Sequence, residues 1–160
     1  MSYNIQHILY ATDLGPHGPD VFRFAISIAE KYGAAIHLLH VTEEPAYLRR
    51  NLAERYISSS VLGTYRDATM NEAMLEIRQR LEQFTKSTLE SEDTKHATVA
   101  DIKVMTGKAG ATILAEANRI NADCIIMGSR RYSGVSAVTI GSVAREVTRK
   151  SKRPIFLFPI

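Results

Sequence analysis

The fold is decided by residues 123–142, which begin Asp123-Cys124-Ile125-Ile126-Met127-Gly128-Ser129-Arg130-Arg131-Tyr132-Ser133-Gly134, continue through 135–140 and end Gly141-Ser142. The apolar run at the start predicts a strand buried on both faces. The run breaks at Gly128 into a polar, basic loop, and a helix is predicted to follow through Val143, Ala144 and Val147. This order of strand, glycine loop and helix N-terminus forms an anion site, because unpaired N–H groups and the positive end of the helix dipole point out of the loop.

The side chains of this loop suit phosphate in particular. Hydroxyl groups at Ser129, Ser133 and Ser142 can donate hydrogen bonds, and Arg130 and Arg131 add positive charge. The alternative is a simple connection that needs a glycine only for a positive φ angle. The stretch alone leaves both interpretations open.

Bulk composition limits the classes of protein to consider. The chain has 160 residues and is 45% apolar, so we expect one domain over 1–160 with a full core. No apolar run approaches the ~20 residues of a membrane span, and no signal peptide is seen at the start. Cys124 is the single cysteine, so no internal disulfide forms, and we expect a cytoplasmic protein. The net charge of +3 is too small to indicate nucleic-acid binding.

Apolar periodicity predicts strands that alternate with helices along the chain. The predicted strands are 3–11, 36–41, 99–105, the run that ends at Gly128, and 155–158. Four helices are predicted between them. The first has an inward face of Val21, Phe22, Ala25, Ile28, Ala29 and Tyr32, the second covers 67–89, and the third and fourth begin after Gly107 and Gly141. Residues 43–66 contain Pro45, three serines and many charges, and are interpreted as a long, flap-like excursion. Strands that alternate with helices predict an α/β fold, with a parallel sheet covered on both faces.

Two separate parts of the sequence converge on one crevice of such a sheet. Ligands bind beyond the carboxyl ends of the strands where the strand order reverses, a point that the first and fourth strands usually flank. Those strands end in Thr12-Asp13 and Gly128-Ser129, so the sequence favours nucleotide or phosphate binding there. Asp13 could accept hydrogen bonds from a ribose hydroxyl or an adenine amine, or hold hydrated Mg²⁺; its alternative role is a turn or helix-cap aspartate.

Other features point away from catalysis and towards self-association. There is no nucleophile elbow, no HExxH motif and no metal pattern among the five histidines, and His40 is interpreted as packing or a surface neighbour. Gly107-Lys108 lacks the remaining residues of a Walker loop. The apolar last strand, Ile155–Phe158, is predicted at a sheet edge, where a two-fold homodimer would cover it; the alternative is that neighbouring helices of the same chain cover it.

The chain resembles the universal stress protein family over essentially its whole length. The resemblance rests on segments of the predicted strands, loops and helices: 8–13, 38–41, Gly107 with Ile113, 122–130 and 141–144. It implies a three-layer, Rossmann-like α/β/α fold with sheet order 3-2-1-4-5, a dimer through the last strand, and ATP or AMP binding with or without Mg²⁺. It implies phosphate contacts at Gly128, Gly141 and Ser142 and adenosine contacts at Asp13 and Val41. Together with the residues of the loop and their neighbours, the predicted binding residues are Ala11, Asp13, Val41, Gly128, Ser129, Arg130, Arg131, Gly134, Gly141, Ser142 and Val143.

The sequence departs from the family's ATP motif at one position. The motif reads Gly, two residues, Gly, nine residues, then Gly-Ser or Gly-Thr; Gly128, Gly141 and Ser142 match it, but Arg131 occupies the second glycine position and Gly134 is out of register. A side chain there can block the approach of phosphate, or an arginine can pair with it. Three functions stay open: a nucleotide-binding stress regulator, a slow ATPase or self-phosphorylating protein with Ser142 or Thr139 as acceptor, and a dimeric interaction protein with a vestigial site.

Overall fold

The structure is a computed structural model that describes residues 3–42, 59–92, 94, 96–129 and 140–160, with side chains in the second helix described from residue 70 onwards. The strands are β1 (His7–Ala11), β2 (Ala35–Thr42), β3 (Thr98–Thr106), β4 (Cys124–Ser129) and β5 (Ile155–Pro159). The helices are α1 (Gly18–Tyr32), α2 (Ser59–Ser91), α3 (Ala109–Arg119) and α4 (Ser142–Lys150).

The five strands form one parallel sheet in the order β3-β2-β1-β4-β5, which confirms the predicted topology. β1 lies in the middle and pairs with β2 on one side and β4 on the other, so that Ile8 is level with Ile36 and Cys124. The strand order reverses between β1 and β4. The carboxyl ends of these two strands therefore flank the crevice that the sequence predicted.

Two apolar cores sandwich the sheet, because alternate strand residues point to opposite faces. One face packs against α1 and α2 and includes Tyr10, Phe22, Leu81 and Ile126. The other face packs against α3 and α4 through Leu9, Leu39, Ile113, Ile125 and Val147, among others. The first four residues of β4 are buried, as expected of a strand covered on both sides.

The inward face of α1 agrees with its periodicity except at the last turn. Val21, Phe22, Ala25 and Ala29 are buried, but Tyr32 is 42% exposed, so its predicted inward position is wrong. The buried stripe instead includes Ile26, which lies four residues after Phe22 and three before Ala29 on the same side of the helix. The helix ends at once after Tyr32, where Gly33 adopts a left-handed φ of 66°.

The second helix is longer than predicted. It begins at Ser59 rather than Asp67, so residues 59–66 of the predicted excursion are helical, and residues 43–58 lie outside the described residues. The serines and Gly63 are poor helix formers, but their cost is small once an adjoining helix is nucleated, since each further residue adds a hydrogen bond. In the ranges that the structure describes, no helix combines the length and apolarity needed to cross a membrane.

The start of β1 is held by the side chain of Asp123, the residue just before β4. The Asp123 carboxylate accepts hydrogen bonds from the main-chain N–H groups of Gln6 and His7, each at 2.8 Å. β1 begins at His7, four residues later than predicted, although Ile5 is buried. The N–H groups of residues 6 and 7 are thus satisfied by a carboxylate before the sheet ladder takes over.

One buried carboxylate ties α3 to the edge strand β3. Glu116 is 4% exposed; its two oxygens accept hydrogen bonds from Arg119 at 2.7 and 2.9 Å, and one of them also accepts from Lys103 at 3.0 Å. The hydrogen bonds from Arg119 are the main reason that the pKa of Glu116 falls from 4.5 to about 2, and Lys103 acts in the same direction. Because the folded state holds the ionised form, this carboxylate stabilises the fold at neutral pH.

The Glu116→Gln variant is therefore expected to lose about 1–2 kcal/mol of unfolding free energy at pH 7, since water screens the partly exposed cations. The wild-type advantage is fully present above the unfolded pKa near 4.5 and disappears as the pH falls towards 2. Urea unfolding of both proteins between pH 7 and pH 3 measures this difference. A gap between the two proteins that stays constant over that range would contradict the assigned pKa shift.

Candidate nucleotide-binding site

A cavity of about 300 Å³ opens at the carboxyl edge of the sheet, between the ends of β1 and β4. Its volume lies at the lower end of the range for small-molecule sites. The wall comes from the ends of β1, β2 and β4 and from the starts of α1, α3 and α4; it consists of Tyr10, Ala11, Thr12, Asp13, Gly18, Val21, Leu39, Val41, Ala109, Ile113, Met127, Gly128, Gly141, Ser142, Val143, Ala144 and Ile160.

The cavity brings together seven of the predicted site residues: Ala11, Asp13, Val41, Gly128, Gly141, Ser142 and Val143. Ser129 is buried at the end of β4 and does not line the cavity, and its carbonyl accepts a hydrogen bond from the N–H of Ile160 at 3.1 Å. Arg130, Arg131 and Gly134, together with the possible phosphate acceptor Thr139, lie outside the described residues.

Three helices begin at this cavity. Gly18, Ala109 and Ser142 are the first residues of α1, α3 and α4, and all three line the wall. In none of these helices does the N-cap side chain hydrogen-bond the first turn. The first-turn N–H groups therefore have no side-chain cap. At α1 those of Gly18 and Asp20 donate to the carbonyls of Gly15 and His17, and Pro19 has none, so the donors available to an anion come from α3 and α4. The helix dipoles add to them at this end of the cavity.

The start of α3 depends on an unusual glycine conformation. Gly107 has a φ of 146°, and its N–H donates to the carbonyl of Thr42 at the end of β2. A Cβ atom here would lie 2.9 Å from the Thr112 hydroxyl, so both the backbone angle and the space favour glycine. The sequence predicted that a helix follows Gly107 and that Gly107-Lys108 is not a Walker loop. The structure adds that this helix begins at the cavity.

The end of β1 turns sharply where it meets the cavity. The Asp13 carboxylate accepts a hydrogen bond from the N–H of Gly15 at 2.8 Å, and the Thr12 hydroxyl accepts one from the N–H of Leu14 at 3.1 Å. Asp13 thus shapes a turn, the alternative role considered from sequence, and also lines the cavity. Among the lining residues that the structure describes, it is the one with an acidic or basic side chain.

The remaining wall is largely apolar. Leu39, Val41, Ile113 and Met127 come from the core on the α3 and α4 face and present a surface suited to an aromatic base. On the opposite side, the Tyr10 hydroxyl donates to the carbonyl of Gly18 at 3.0 Å and fixes the start of α1. Burial raises the pKa of Tyr10 to about 12, so the hydroxyl stays a neutral donor.

The described residues offer no metal centre or reactive thiol. They contain no cluster of three or more His, Cys, Asp or Glu side chains that could hold a metal ion. Burial raises the pKa of the Cys124 thiol to about 11, which keeps it protonated and unreactive. The chemistry available at the cavity is therefore that of main-chain donors, hydroxyls, one carboxylate and apolar surface.

Known proteins share the sequence pattern of this chain along nearly its whole length. The model of the "Universal stress protein family" matches residues 4–159. The chain belongs to the universal stress protein family. Universal stress protein MJ0577 from Methanocaldococcus jannaschii is 27% identical over 163 aligned positions, which cover 98% of this chain and 96% of that protein.

Solved structures of family members share the fold. The MJ0577 structure superposes with a TM-score of 0.74 at 22% identity, covering 99% of this chain and 98% of the other. A universal stress protein in complex with cAMP gives 0.61 at 16% identity, with 98% of each chain covered. The Archaeoglobus fulgidus universal stress protein in complex with dAMP gives 0.55 at 17% identity, covering 97% and 98%.

Proposed function

We propose that this universal stress protein binds an adenine nucleotide, ATP or AMP, in the cavity between β1 and β4 and acts as a stress-response regulator. One observation carries the proposal: three helix N-termini without side-chain caps surround a partly apolar cavity whose single described ionised group is Asp13. A nucleotide matches each part, since it combines phosphates, an apolar ring and sugar hydroxyls.

In this proposal the phosphates lie against Gly128 and the first turn of α4, where Gly141, Ser142 and Val143 meet the cavity. The adenosine lies against Ala11 and Val41, and Asp13 accepts hydrogen bonds from the ribose. Support comes from two relatives with the same fold, which are complexes with cAMP and dAMP. Arg130 and Arg131 are proposed to pair with phosphate oxygens and Gly134 to belong to the same loop, which follows Ser129 at the end of β4. Any Mg²⁺ would be held mainly by the phosphates.

Calorimetric titration of the nucleotide-stripped protein tests the proposal. ATP with Mg²⁺ and AMP are expected to bind with micromolar dissociation constants, and adenosine is expected to bind more weakly because it lacks the anion that the helix N-termini favour. The matched Arg131→Gly variant shows whether the Arg131 side chain pairs with phosphate or blocks its approach. If only the variant binds, Arg131 closes the site and the vestigial-site function holds; if neither binds, the nucleotide proposal fails.

We further propose that the protein is not an efficient enzyme. Among the described residues at the cavity, Asp13 is the one carboxylate, and it is already hydrogen-bonded to the turn that it shapes. Incubation with radiolabelled ATP and Mg²⁺ tests this directly. Phosphate release or labelling of Ser142 well above that of a Ser142→Ala control would support the slow ATPase or self-phosphorylating alternative instead.

The partner we propose is a second copy of this chain, joined through β5 in a cytoplasmic homodimer of single-domain subunits. β5 lies at one edge of the sheet with only β4 beside it, and its apolar residues Ile155–Phe158 are all partly exposed. Sedimentation equilibrium should give the mass of a dimer, and a Leu157→Lys variant should sediment as a monomer. A monomeric wild type would refute this part of the proposal.

A further inference from the structure

The His40 side chain makes a hydrogen bond that the sequence did not indicate. Its Nδ1 atom lies 2.8 Å from the main-chain carbonyl oxygen of Thr12. A carbonyl oxygen only accepts, so Nδ1 carries the proton and donates it. His40 is half-buried on β2 between Leu39 and Val41, which both line the cavity, while its own side chain does not.

This hydrogen bond acts where β1 leaves the sheet. The pairing of β1 with β2 ends at Ala11 opposite Leu39, and the N–H of Thr12 still donates to the carbonyl of Leu39 at 2.9 Å. In a longer ladder the Thr12 carbonyl would accept from the main chain of β2. Here the imidazole of His40 provides the donor instead, so both main-chain polar groups of Thr12 remain bound to β2.

The next residue along the chain is Asp13, which lines the cavity. Because the His40 side chain holds the Thr12 carbonyl, the backbone at Asp13 is fixed in position relative to β2. Val41, the residue that follows His40 on β2, also lines the cavity. The two residues proposed to contact adenosine are therefore connected through one side chain. Fixing them before the ligand arrives removes an ordering cost from binding.

We propose that His40 is a positioning residue of the nucleotide site, which acts through the Thr12 carbonyl to hold Asp13 against the ligand. This inference rests on the proposed function of the cavity. It assigns to His40 a role in affinity, in contrast to the packing or surface role that the sequence suggested. A purely structural histidine would change the stability of the fold and leave the affinity of the folded protein for nucleotide unchanged.

Two amide variants of the same chemistry test this role. Asparagine places its side-chain nitrogen at the same number of bonds from the backbone as Nδ1 of histidine, whereas glutamine places it one bond further. His40→Asn is therefore expected to keep AMP affinity within about twofold of wild type. His40→Gln is expected to weaken it about threefold to tenfold, the value of one hydrogen bond.

A double-mutant cycle shows whether the effect passes through Asp13. In an Asp13→Ala background, His40→Gln is expected to cause little further loss of AMP affinity, because the group that it positions is gone. All titrations are made on protein whose thermal unfolding shows a folded state. Equal affinities of wild type, His40→Asn and His40→Gln would overturn the inference, as would losses that add fully in the double variant.

The wild-type titration separates this inference from the proposed function. If wild-type protein binds neither ATP nor AMP, the nucleotide function fails and the positioning role falls with it. If wild-type protein binds and the variants follow no asparagine-over-glutamine pattern, the nucleotide function stands and only the role of His40 is wrong.

Discussion

The Ser142→Asp variant is expected to bind ATP about 100-fold more weakly than the wild type, yet to unfold at the same or a slightly higher temperature. Ser142 is the exposed first residue of α4 and lines the cavity. A carboxylate at a helix N-terminus stabilises the helix by ~0.3–1 kcal/mol. The same charge repels a phosphate about 4 Å away by up to roughly 4 kcal/mol at an effective dielectric constant near 20, and screening at this exposed position reduces the repulsion to about the 2.7 kcal/mol of a 100-fold loss.

The opposite signs of these two effects make the variant informative. The matched control is Ser142→Asn, because asparagine has nearly the shape of aspartate without its charge. We expect this variant to lose less than about fivefold in ATP affinity. Calorimetry gives the affinities and differential scanning calorimetry gives the unfolding temperatures. If Ser142→Asp binds ATP within threefold of the wild type, phosphate does not lie against the start of α4.

The Phe22→Ala variant is expected to lose about 3–5 kcal/mol of unfolding free energy, the largest effect on stability that we predict. Phe22 of α1 is fully buried between the sheet and α2. Its ring stacks on Tyr10 at a centroid distance of 5.3 Å and packs at the same distance, tilted, against Phe84 of α2. Truncation leaves a cavity that these two rings can fill only in part.

Urea unfolding measures this loss, which corresponds to a shift of the midpoint by about 2 M for a typical m-value. Phe22→Leu keeps most of the volume and is expected to lose about half as much or less. Tyr3→Ala serves as the surface control, because Tyr3 is 79% exposed, and it should change stability by less than about 0.5 kcal/mol. A loss below 1.5 kcal/mol in Phe22→Ala would show that Phe22 is not central to this core.

The sequence predicted the sheet well because its central strand segments are unambiguous. Cys124 to Met127 form an apolar run too short for a helix, and such a run fits a strand covered on both faces. Given the alternation of strands and helices, the rules for parallel sheets then bring the ends of β1 and β4 together. The start of α2 was predicted eight residues too late, because the low helix propensity of the serines and Gly63 is a weak signal that an adjoining, already nucleated helix overrides.

The parts of the site that the sequence did not reveal depend on distant contacts. The third helix N-terminus at Ala109 reaches the cavity through the φ of Gly107 and its hydrogen bond to Thr42, which no local pattern encodes. The role of Tyr10 in holding Gly18 likewise joins residues of different elements. The partner of His40 is of the same kind: a histidine within an apolar strand indicates some polar contact, but nothing local in the sequence names the Thr12 carbonyl as the acceptor.

The most direct test of the central claim is an NMR titration of the ¹⁵N-labelled protein with ATP, which locates the ligand as well as detecting it. The largest amide shifts are expected at Gly128, Ser142 and Val143, where the phosphates are proposed to lie, with smaller shifts at Gly18 and Ala109, the first residues of the other two helices at the cavity. The amide of Asn121, which precedes the opposite end of β4, should not move. An absence of shifts at millimolar ATP, or shifts concentrated away from the cavity, would contradict the claim that three helix N-termini form a nucleotide site.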